Sequence, residues 1–369
     1  MKNKAVILCL WITALAAGEM DVYADQVFIC NPFEYEWSGP VDINLSKMKL
    51  SGKGSATVKD ESGKLLPSQT DDLDFDGKAD ETVVLVSLKP LGTKILTLSF
   101  SPEGDAVGPF AEPSGEMGLK CAAFELKIGP DGRINSLSLL QDGRKFQIVK
   151  SSNLHVWRVD NTGWEQKSAK LAVKRKIGHL RAVYDIIGDM HGVKAKGQMV
   201  LHRQIKVYPD SRIDNAVEIS YQSGNPFFTG NKEGGIRSTI ECDAKTMYQT
   251  LSWDFGNKLK IAEMKKAWSH MRRVPGGIIG GFMDSAKGCG IISMPDRDDS
   301  SLRLWDNRTT YIPGTPKKQM LIVNGLGWWG KNVTSGNKLK SGWRTYAFFD
   351  RKQAEKMTKT MIETQKNDE

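Results

Sequence analysis

Apolar residues recur along most of the chain in short runs of about five to ten residues, separated by turn-forming residues. Val, Ile, Leu, Phe and Tyr dominate these runs, which is typical of β-strands. The predicted strands include Gln26–Cys30, Thr82–Leu88, Lys94–Phe100, Ala122–Ile128, Arg133–Leu139, Leu180–Ile187, Met199–Tyr208, Asn215–Tyr221, Gly290–Met294, Met320–Asn324 and Thr345–Phe349. The pattern therefore predicts an all-β protein.

The turns between these runs are chemically explicit. Pro130-Asp131-Gly132, Gln141-Asp142-Gly143 and Pro209-Asp210-Ser211 each contain residues that favour tight turns. Short strands joined in this way favour antiparallel meanders packed as sandwiches over alternating strands and helices. No repeat of fixed period is visible, which argues against propellers and solenoids.

Only the C-terminal segment, residues 350–369, has a helical pattern. Its apolar positions are Ala354, Met357, Met361 and Ile362, which recur at helical spacing. Asp350 precedes them and is a suitable N-cap. We therefore predict a short C-terminal helix that begins at Asp350.

The segment 101–118 is rich in Pro, Gly and Glu and has no strand pattern. We interpret it as a linker between two domains. The sequence then predicts a small β-domain over residues 25–100 and a large β-domain over residues 119–349, followed by the helix and tail.

The first 24 residues have the features of a secretory signal peptide. Lys2 and Lys4 precede an apolar run that is too short to span a bilayer, and small residues follow it. We predict cleavage after Ala24, with 14–16 as a second candidate cut, and a secreted or periplasmic protein without a membrane anchor. An uncleaved anchor is the alternative interpretation.

Composition narrows the class of protein further. The chain is 40% hydrophobic and 26% charged, which excludes wholesale disorder, and its net charge is +9. Beyond the signal peptide it contains Cys30, Cys121, Cys242 and Cys289. Four cysteines allow three disulfide pairings, and the sequence does not choose among them. Their spacing does not suggest a zinc site.

The sharpest local motif is an acidic loop with Gly77 at its centre. Its predicted ligands, at relative positions one, three, five, seven and nine, are Asp72, Asp74, Asp76, the carbonyl of Lys78, and Asp80. Alternating carboxylates in a tight loop suit Ca²⁺, but Val83 replaces the Glu that an EF-hand requires. We predict a structural calcium site and no organic cofactor. A solvated acidic turn is the alternative.

Three N-terminal segments carry a family resemblance. They are Asn31-Pro32-Phe33, the segment 58–69 (VKDESGKLLPSQ) and the segment 88–94 (LKPLGTK). In this order they resemble the small β-domain in the C-terminal half of glycoside-hydrolase α-mannosidases, and also secreted proteins that accompany polyuronide degradation.

Further segments continue the resemblance: Phe124–Ile128, Gly132–Leu137, Gly178–Tyr184 and Tyr208–Asp214. They look like the large galactose-mutarotase-like sandwich of those mannosidases and of several polysaccharide lyases. The resemblance implies a small N-terminal β-sandwich followed by a large mutarotase-like antiparallel β-supersandwich. The mannosidase catalytic domain has no counterpart in this sequence, so mannosidase activity is not implied.

Two late segments combine aromatic and polar residues in the way that sugar sites do. The predicted substrate-binding residues are Arg303, Trp305, Asn324, Trp328 and Trp329. The segment 265–273 adds Lys and Arg around Trp268 and His270, which suits an acidic polysaccharide better than nucleic acid in a secreted β-protein. The alternatives are that the tryptophans are core residues and that the basic segment is a solvated face.

Cleavage of a uronic polymer by β-elimination needs a cation for the carboxylate, a base for the C5 proton and an acid for the leaving oxygen. Among the candidates for these roles we assign His270 and Tyr311 as catalytic, with Arg272 or Arg308 on the carboxylate. The alternative is that a histidine on a strand is structural.

These features predict a secreted carbohydrate-active protein, a polysaccharide-lyase-like enzyme acting on an acidic glycan or oligosaccharide. A non-catalytic carbohydrate-binding module and a mutarotase-like epimerase are the alternatives. Neither a G-x-S-x-G nucleophile motif nor a phosphate-binding loop is present in the sequence.

Overall fold

The computed structural model describes residues 25–31, 34–45, 54–101, 108–158, 160, 162–166, 171–229, 235–243, 249–253, 259–263, 268–270, 279–284, 286–295, 301–306, 319–327 and 330–358. The regular structure of these residues is almost entirely β-strand, and one short helix occupies residues 351–358. The predicted all-β class and C-terminal helix are confirmed. No helix among the described residues is long and apolar enough to cross a membrane.

Residue contacts divide the chain into two units. The first contains the described residues up to Phe110, together with Lys176–Val183. Its strands are β1 (Asp25–Cys30), β2 (Trp37–Asn44), β3 (Ser55–Asp60), β4 (Leu65–Leu66), β5 (Ser68–Asp71), β6 (Glu81–Leu88) and β7 (Thr93–Ser101). They form a four-stranded sheet, β1-β7-β3-β4, and a three-stranded sheet, β2-β6-β5.

One apolar cluster holds the first unit together. It takes residues from both sheets, for example Val58 and Leu96 from the first and Ile43 and Val84 from the second. Strand residues alternate between the two faces of a sheet, so each sheet contributes its apolar side to the cluster. This is the packing of a small β-sandwich.

Residues 176–183 are bound to the rest of the first unit by Gln69, which is buried. Its Oε1 accepts hydrogen bonds from the backbone N–H groups of Leu180 (2.8 Å) and Arg181 (3.1 Å), and its Nε2 donates to the Arg181 carbonyl (3.0 Å). A Cβ at Gly178 would lie 2.3 Å from the Gln69 side chain, so the close approach requires glycine there.

The second unit contains Ala111–Arg175 and the described residues from Tyr184 onward. Its first sheet has five strands: β8 (Glu112–Ser114), β9 (Gly118–Lys120), β10 (Phe124–Ile128), β11 (Ile134–Gln141) and β12 (Arg144–Val149). Their order in the sheet is β12-β11-β10-β9-β8. Strand β8 lies within the segment 101–118 that the sequence predicts as a linker, and β9 begins at the last residue of that segment. Each strand has only three residues, which is too short to show an alternating pattern in the sequence.

A second sheet has seven strands: β13 (Ser151–Trp157), β14 (Gly163–Glu165), β17 (His191–Val193), β21 (Gly235–Asp243), β24 (Trp268–His270), β27 (Ser301–Asp306) and β28 (Gln319–Gly327). Their order in this seven-stranded sheet is β17-β14-β13-β21-β28-β27-β24. This sheet carries the candidate functional site.

A third sheet has nine strands: β15 (Leu171–Ile177), β16 (Ala182–Asp189), β18 (Gln198–Val207), β19 (Arg212–Ser223), β22 (Gln249–Trp253), β23 (Leu259–Glu263), β25 (Gly280–Met283), β26 (Gly290–Pro295) and β30 (Lys338–Phe348). Their order in this nine-stranded sheet is β15-β16-β18-β19-β30-β26-β25-β22-β23. Strands β20 (Phe227–Phe228) and β29 (Asn332–Val333) form a separate pair.

The predicted helix signals are confirmed where the structure describes them. Asp350 is the N-cap, because its Oδ1 accepts a hydrogen bond of 2.8 Å from the backbone N–H of Gln353. Ala354 and Met357 are buried in a cluster with residues of the nine-stranded sheet such as Leu251. The helix, α1, is thus fixed by a cap at its start and by its apolar face.

The predicted turns also occur. Asp142 and Gly143 both have positive φ values, 50° and 70°, which is the geometry of a two-residue hairpin turn between β11 and β12. The four cysteines that the structure describes form no disulfide: Cys242 and Cys289 are buried, and Cys30 is exposed. Because burial raises the pKa of the Cys242 thiol, this residue stays protonated at neutral pH.

Candidate functional site

Strand β13 places polar and aromatic residues at alternate positions. Ser151, Asn153, His155 and Trp157 alternate with Ser152, Leu154 and Val156. Since neighbouring residues of a strand point to opposite faces, the first set occupies one face of the seven-stranded sheet. The other face is mainly apolar.

The neighbouring strand β21 repeats this alternation in register. Arg237, Thr239 and Glu241 alternate with Ile236, Ser238, Ile240 and Cys242. The pairing sets His155 opposite Arg237 and Asn153 opposite Thr239. We call the side of the sheet that carries Asn153, His155, Trp157, Arg237, Thr239 and Glu241 the polar face.

His155 and Arg237 form the centre of the polar face. His155 is 3% exposed and Arg237 is 2% exposed. Directly opposite residues of an antiparallel pair have Cβ atoms about 5 Å apart. Burial, and secondly the charge of Arg237, lower the pKa of His155 to about 3. The imidazole is therefore neutral at physiological pH beside a buried cation.

Trp157 lies next to this pair. Its ring centroid is 5.7 Å from that of His155, and the two rings are tilted by 58°. Gly163 on β14 lies opposite Trp157. Only glycine fits at this position, because a Cβ there would lie 2.0 Å from the Val156 carbonyl oxygen and 3.0 Å from the Trp157 ring. The glycine gives the indole room on the polar face.

Besides Ser152 Oγ, which belongs to the opposite face, three buried polar atoms on β13 have no hydrogen-bond partner among the described residues. They are Asn153 Oδ1, His155 Nε2 and Trp157 Nε1. Buried polar atoms are normally paired, so an unpaired group calls for a specific explanation such as a ligand or a water molecule. All three belong to alternate residues of one strand, on the polar face.

Glu241 adds a carboxyl group to the polar face. It is 7% exposed, and burial raises its pKa, while the Ser151 hydroxyl and the charges of Arg133 and Lys150 oppose that shift. The polar face thus combines a neutral imidazole, a guanidinium, an indole and a carboxyl group whose pKa is raised by burial.

A β-bulge adjoins Arg237. The pairing of β21 with β28 shifts between Ile236 and Arg237, which lie opposite Gly327 and Gly325 respectively. Gly327 has a φ of 136°, which disfavours any other residue. Bulges re-aim side chains and are frequent beside active sites.

The structure brings the two aromatic and basic segments predicted from the sequence onto neighbouring strands. His270 pairs with Arg303, and Trp268 pairs with Trp305, across β24 and β27. Arg303 in turn pairs with Val323, which pairs with Thr239. His270 and Arg303 therefore stand in the same cross-strand row as Thr239 of the polar face.

Asn324, by contrast, belongs to the opposite row. It is fully buried and its Oδ1 accepts a hydrogen bond of 2.9 Å from the Ser293 hydroxyl on β26. Its pairing with Leu302 and Ser238 gives it the alternation of the apolar side. Asn324 is thus an interior residue, away from the polar face, and its assignment to sugar binding stays a prediction. The remaining predicted residues, Arg272, Arg308, Tyr311, Trp328 and Trp329, lie outside the described residues.

Sequence reasoning did not single out His155, Trp157, Arg237 or Glu241. The sequence does contain a signal for these four residues, because each of them occupies an alternate position of a strand-like run whose other positions are mainly apolar. Polar residues at these positions usually indicate a solvated face. Only the structure shows that this face is buried.

The acidic loop brings three of its five predicted ligands together. One carboxylate oxygen each of Asp72, Asp74 and Asp80 lies within 4.8 Å of the others. Burial, and then the like charges of Asp74 and Asp72, raise the pKa of Asp80. Asp76 stands apart from this group and pairs instead with the Lys78 ammonium at 3.7 Å.

The turn in this loop is held by its own carboxylates. Asp72 Oδ2 accepts a hydrogen bond of 2.7 Å from the Gly77 N–H, and Asp80 Oδ2 accepts one of 2.7 Å from the Leu73 N–H. Phe75 and Gly77 have positive φ values of 62° and 92°. The three carboxylates are oxygen donors of the kind that Ca²⁺ prefers.

Comparison with known proteins identifies similarities of sequence family and of fold. Residues 31–166 match the family described as Domain of unknown function (DUF4861). No curated protein sequence matches the chain. A solved structure of an α-mannosidase from Enterococcus faecalis V583 is similar with a TM-score of 0.57 and 10% identity, over 93% of this chain and 45% of that chain.

A second solved structure, a protein of glycosyl hydrolase family 38 from Enterococcus faecalis, has a TM-score of 0.55 and 9% identity over 93% of this chain and 46% of its own. The GalM/aldose epimerase homologue from C. elegans has a TM-score of 0.41 and 7% identity, over 67% of this chain and 100% of its own. The chain thus spans less than half the length of the two glycosidase structures. The predicted resemblance to α-mannosidases is confirmed as a similarity of fold, and residues 31–166 carry the DUF4861 sequence match.

Proposed function

We propose that this protein is an exported, carbohydrate-active, lyase-like enzyme that binds an acidic sugar on the polar face. The proposal is carried by one observation: the neutral, buried His155 lies directly opposite the buried Arg237. Its carbohydrate class is supported by the fold similarity to glycosidase structures. Fold alone does not define a reaction, so we infer lyase chemistry from the residues of the polar face.

Arg237 would bind the carboxylate of a uronic acid. A guanidinium forms charge-assisted hydrogen bonds with carboxylates, often through two parallel N–H groups. Such bonds gain strength where water is excluded, and Arg237 is 2% exposed. Neutralising this carboxylate also stabilises the negative charge that develops when the adjacent C5 proton is removed.

His155 would be the base. Its pKa of about 3 keeps the imidazole neutral, so a ring nitrogen can accept a proton. A carboxylate bound to Arg237 would offset the charge that lowers this pKa, which makes His155 a stronger base once substrate is bound. The C5–H electron pair would then form the C4–C5 double bond as the C4–O bond breaks, and the leaving oxygen would take a proton.

Other parts of the site complete the proposal. The Trp157 indole offers an aromatic surface beside His155, and Trp157 Nε1 and Asn153 Oδ1 offer a donor and an acceptor for sugar hydroxyl groups. Tyr311 stays the predicted acid for the leaving oxygen. His270, Arg272 and Arg308, like the tryptophans of the late segments, also stay predictions.

The test is an assay of the purified mature protein against a panel of uronate polymers and oligosaccharides, with absorbance at the unsaturated-uronate band as the readout. We expect turnover on at least one, and a loss of about 10²–10⁴-fold in kcat for His155→Gln. His202→Gln is the matched control, because His202 lies in the nine-stranded sheet and contacts Asp185. Equal activities of both variants would overturn the role of His155.

Binding of a uronate oligosaccharide without any unsaturated product would favour the carbohydrate-binding module instead. Exchange of the anomers of a reducing sugar, without cleavage, would favour an epimerase. These outcomes separate the three functions that the sequence leaves open.

The acidic loop is proposed to bind Ca²⁺ as a structural ion. The convergence of Asp72, Asp74 and Asp80 supports this, since bringing three carboxylates together is costly unless a cation compensates their charge. No nucleophile or base stands out among the loop residues, so the ion would stabilise the first unit rather than take part in catalysis. Heat of binding in isothermal titration with Ca²⁺, and its absence with Na⁺, would test this.

A further inference from the structure

Arg203 is a cation in the interior of the second unit. It lies on β18, is 1% exposed, and its guanidinium stacks 5.0 Å from the ring of the buried Trp343. Its hydrogen-bond partners among the described residues are neutral oxygens: Nε and Nη2 donate to Asn215 Oδ1 at 3.2 and 2.6 Å, and Nη1 donates to Gln166 Oε1 at 2.8 Å.

Among the residues that the structure describes, no carboxylate contacts the Arg203 guanidinium. A guanidinium has five N–H donors, so three bonds leave about two of them unused. Asp131 acts on Arg203 only through its charge, because its carboxylate is bound by Arg133 at 2.6 Å. Burial lowers the pKa of Arg203 to about 9, yet the group is still charged at neutral pH.

A small cavity adjoins the guanidinium and is lined by Ser152, Asn215, Trp343, Thr345 and apolar residues such as Ile240. It has room for about one water-sized occupant. Two further polar atoms at this cavity, Ser152 Oγ and Asn215 Nδ2, are buried without a hydrogen-bond partner among the described residues. Ser152 is 4% exposed and Asn215 is 3% exposed.

The unsatisfied groups share one chemical character. Asn215 Nδ2 and the remaining Arg203 N–H groups can only donate, and the Ser152 hydroxyl can rotate to donate. A water molecule would accept from some of them but would bring two hydrogens of its own and no charge. A small monoatomic anion accepts from all of them and neutralises the guanidinium.

We propose that the cavity bounded by Arg203, Asn215, Ser152 and Trp343 binds a single halide ion, for which chloride is the abundant candidate. The halide would sit where the five-, seven- and nine-stranded sheets of the second unit meet, on the side of β13 opposite the polar face. Because chloride is somewhat larger than a water molecule, the cavity would have to widen slightly to admit it. Its role would be to stabilise the unit by compensating a buried charge, independently of any sugar bound on the polar face.

The direct test is a crystal of the full mature chain soaked in bromide. We expect anomalous difference density in this cavity, within hydrogen-bonding distance of Asn215 Nδ2 and the Ser152 hydroxyl. Bromide peaks on the protein surface, with a water molecule or nothing in the cavity, would overturn the proposal.

The solution test compares thermal unfolding in sodium chloride and in sodium gluconate at equal ionic strength, since gluconate is too large for the cavity. We expect a chloride concentration about 100 times the Kd to raise the Tm by roughly 5 °C or more. Ser152→Ala removes one donor and should reduce the chloride-dependent shift, whereas Ser138→Ala, a buried serine of β11, should keep it. Equal Tm values in the two salts for the unsubstituted protein would contradict the proposal even if a variant failed to fold.

Discussion

His155 on β13 lies directly opposite Arg237 on β21, with both side chains buried on the same face of the seven-stranded sheet. Burial, and secondly the positive charge of Arg237, keep the His155 imidazole neutral. This pair of buried groups is the basis of the proposed site for a ligand that carries a carboxylate next to a weakly acidic C–H bond.

The depressed pKa of His155 makes folding stability depend on pH. The folded-state pKa of about 3 lies below the unfolded value of 6.5, so the unfolded chain binds the proton first as the pH falls. The stabilisation is complete above pH 6.5 and is lost progressively toward pH 3. In urea unfolding we expect a loss of about 2 kcal/mol between pH 7 and pH 5 from this group.

His155→Gln removes this titration, so its free energy of unfolding should change less over that pH range than that of the unsubstituted protein. His202→Gln leaves His155 in place, so it should keep the part of the pH dependence that His155 contributes; His202 is partly exposed and lies on the nine-stranded sheet. Parallel pH dependences for the His155→Gln variant and the unsubstituted protein would show that His155 is not buried in its neutral form.

Arg237→Gln tests the proposed carboxylate contact separately from catalysis. Gln keeps hydrogen bonding but loses the charge, and a hydrogen bond to a charged group contributes about 1.5–3 kcal/mol. We expect uronate oligosaccharides to bind about 10–100-fold more weakly in calorimetry, with much less effect on neutral oligosaccharides. An equal loss for both classes would indicate that Arg237 serves structure and not recognition of the carboxylate.

Two single substitutions in the acidic loop test the calcium site. Asp80→Asn removes a carboxylate of the converging group, so we expect it to abolish the increase in Tm that Ca²⁺ produces. Because the folded-state pKa of Asp80 is raised, its charge opposes folding at neutral pH, and the Ca²⁺-free variant should be slightly more stable than the unsubstituted protein.

Asp76→Asn is the matched control for the calcium site, since Asp76 lies outside the converging group. It should retain most of the Ca²⁺-dependent increase in Tm. A loss in Asp76→Asn as large as that in Asp80→Asn would show that Asp76 is also a ligand, as the spacing of the loop predicts.

Arg181 stabilises the first unit through carboxylates that are distant in sequence. Its Nε donates to Asp71 at 2.6 Å, and its Nη1 contacts Asp42 at 2.9 Å and Glu81 at 2.5 Å. Arg181 and Asp71 are both fully buried. Arg181→Met would leave the buried Asp71 with only the more distant Lys176 ammonium at 3.8 Å, so we expect a loss of about 3–5 kcal/mol in urea unfolding.

Arg351→Met is the control for Arg181. Arg351 pairs with Glu355 at 2.9 Å on the exposed surface of α1, and such a pair contributes less than about 1 kcal/mol. Similar losses for the two variants would contradict the role of Arg181 as the charge partner of buried carboxylates.

The amino-acid sequence by itself determined the local features of this protein. Alternating apolar residues and turn signals such as Asp142-Gly143 predicted strands and hairpins, and Asp350 predicted the start of α1, because both depend on neighbouring residues. The acidic loop was also visible, since its carboxylates lie within nine positions of one another.

Only the tertiary structure decided which distant residues meet. Strand order and register place His155 opposite Arg237 and His270 opposite Arg303, and they turn Asn324 toward the interior. A shift of one residue in register would reverse each of these faces. The alternation along a strand sets the face that it buries, but it does not identify the distant strand or the residue that will lie opposite. The packing of whole sheets decides this, which is why the chemistry of the polar face became visible only in the folded chain.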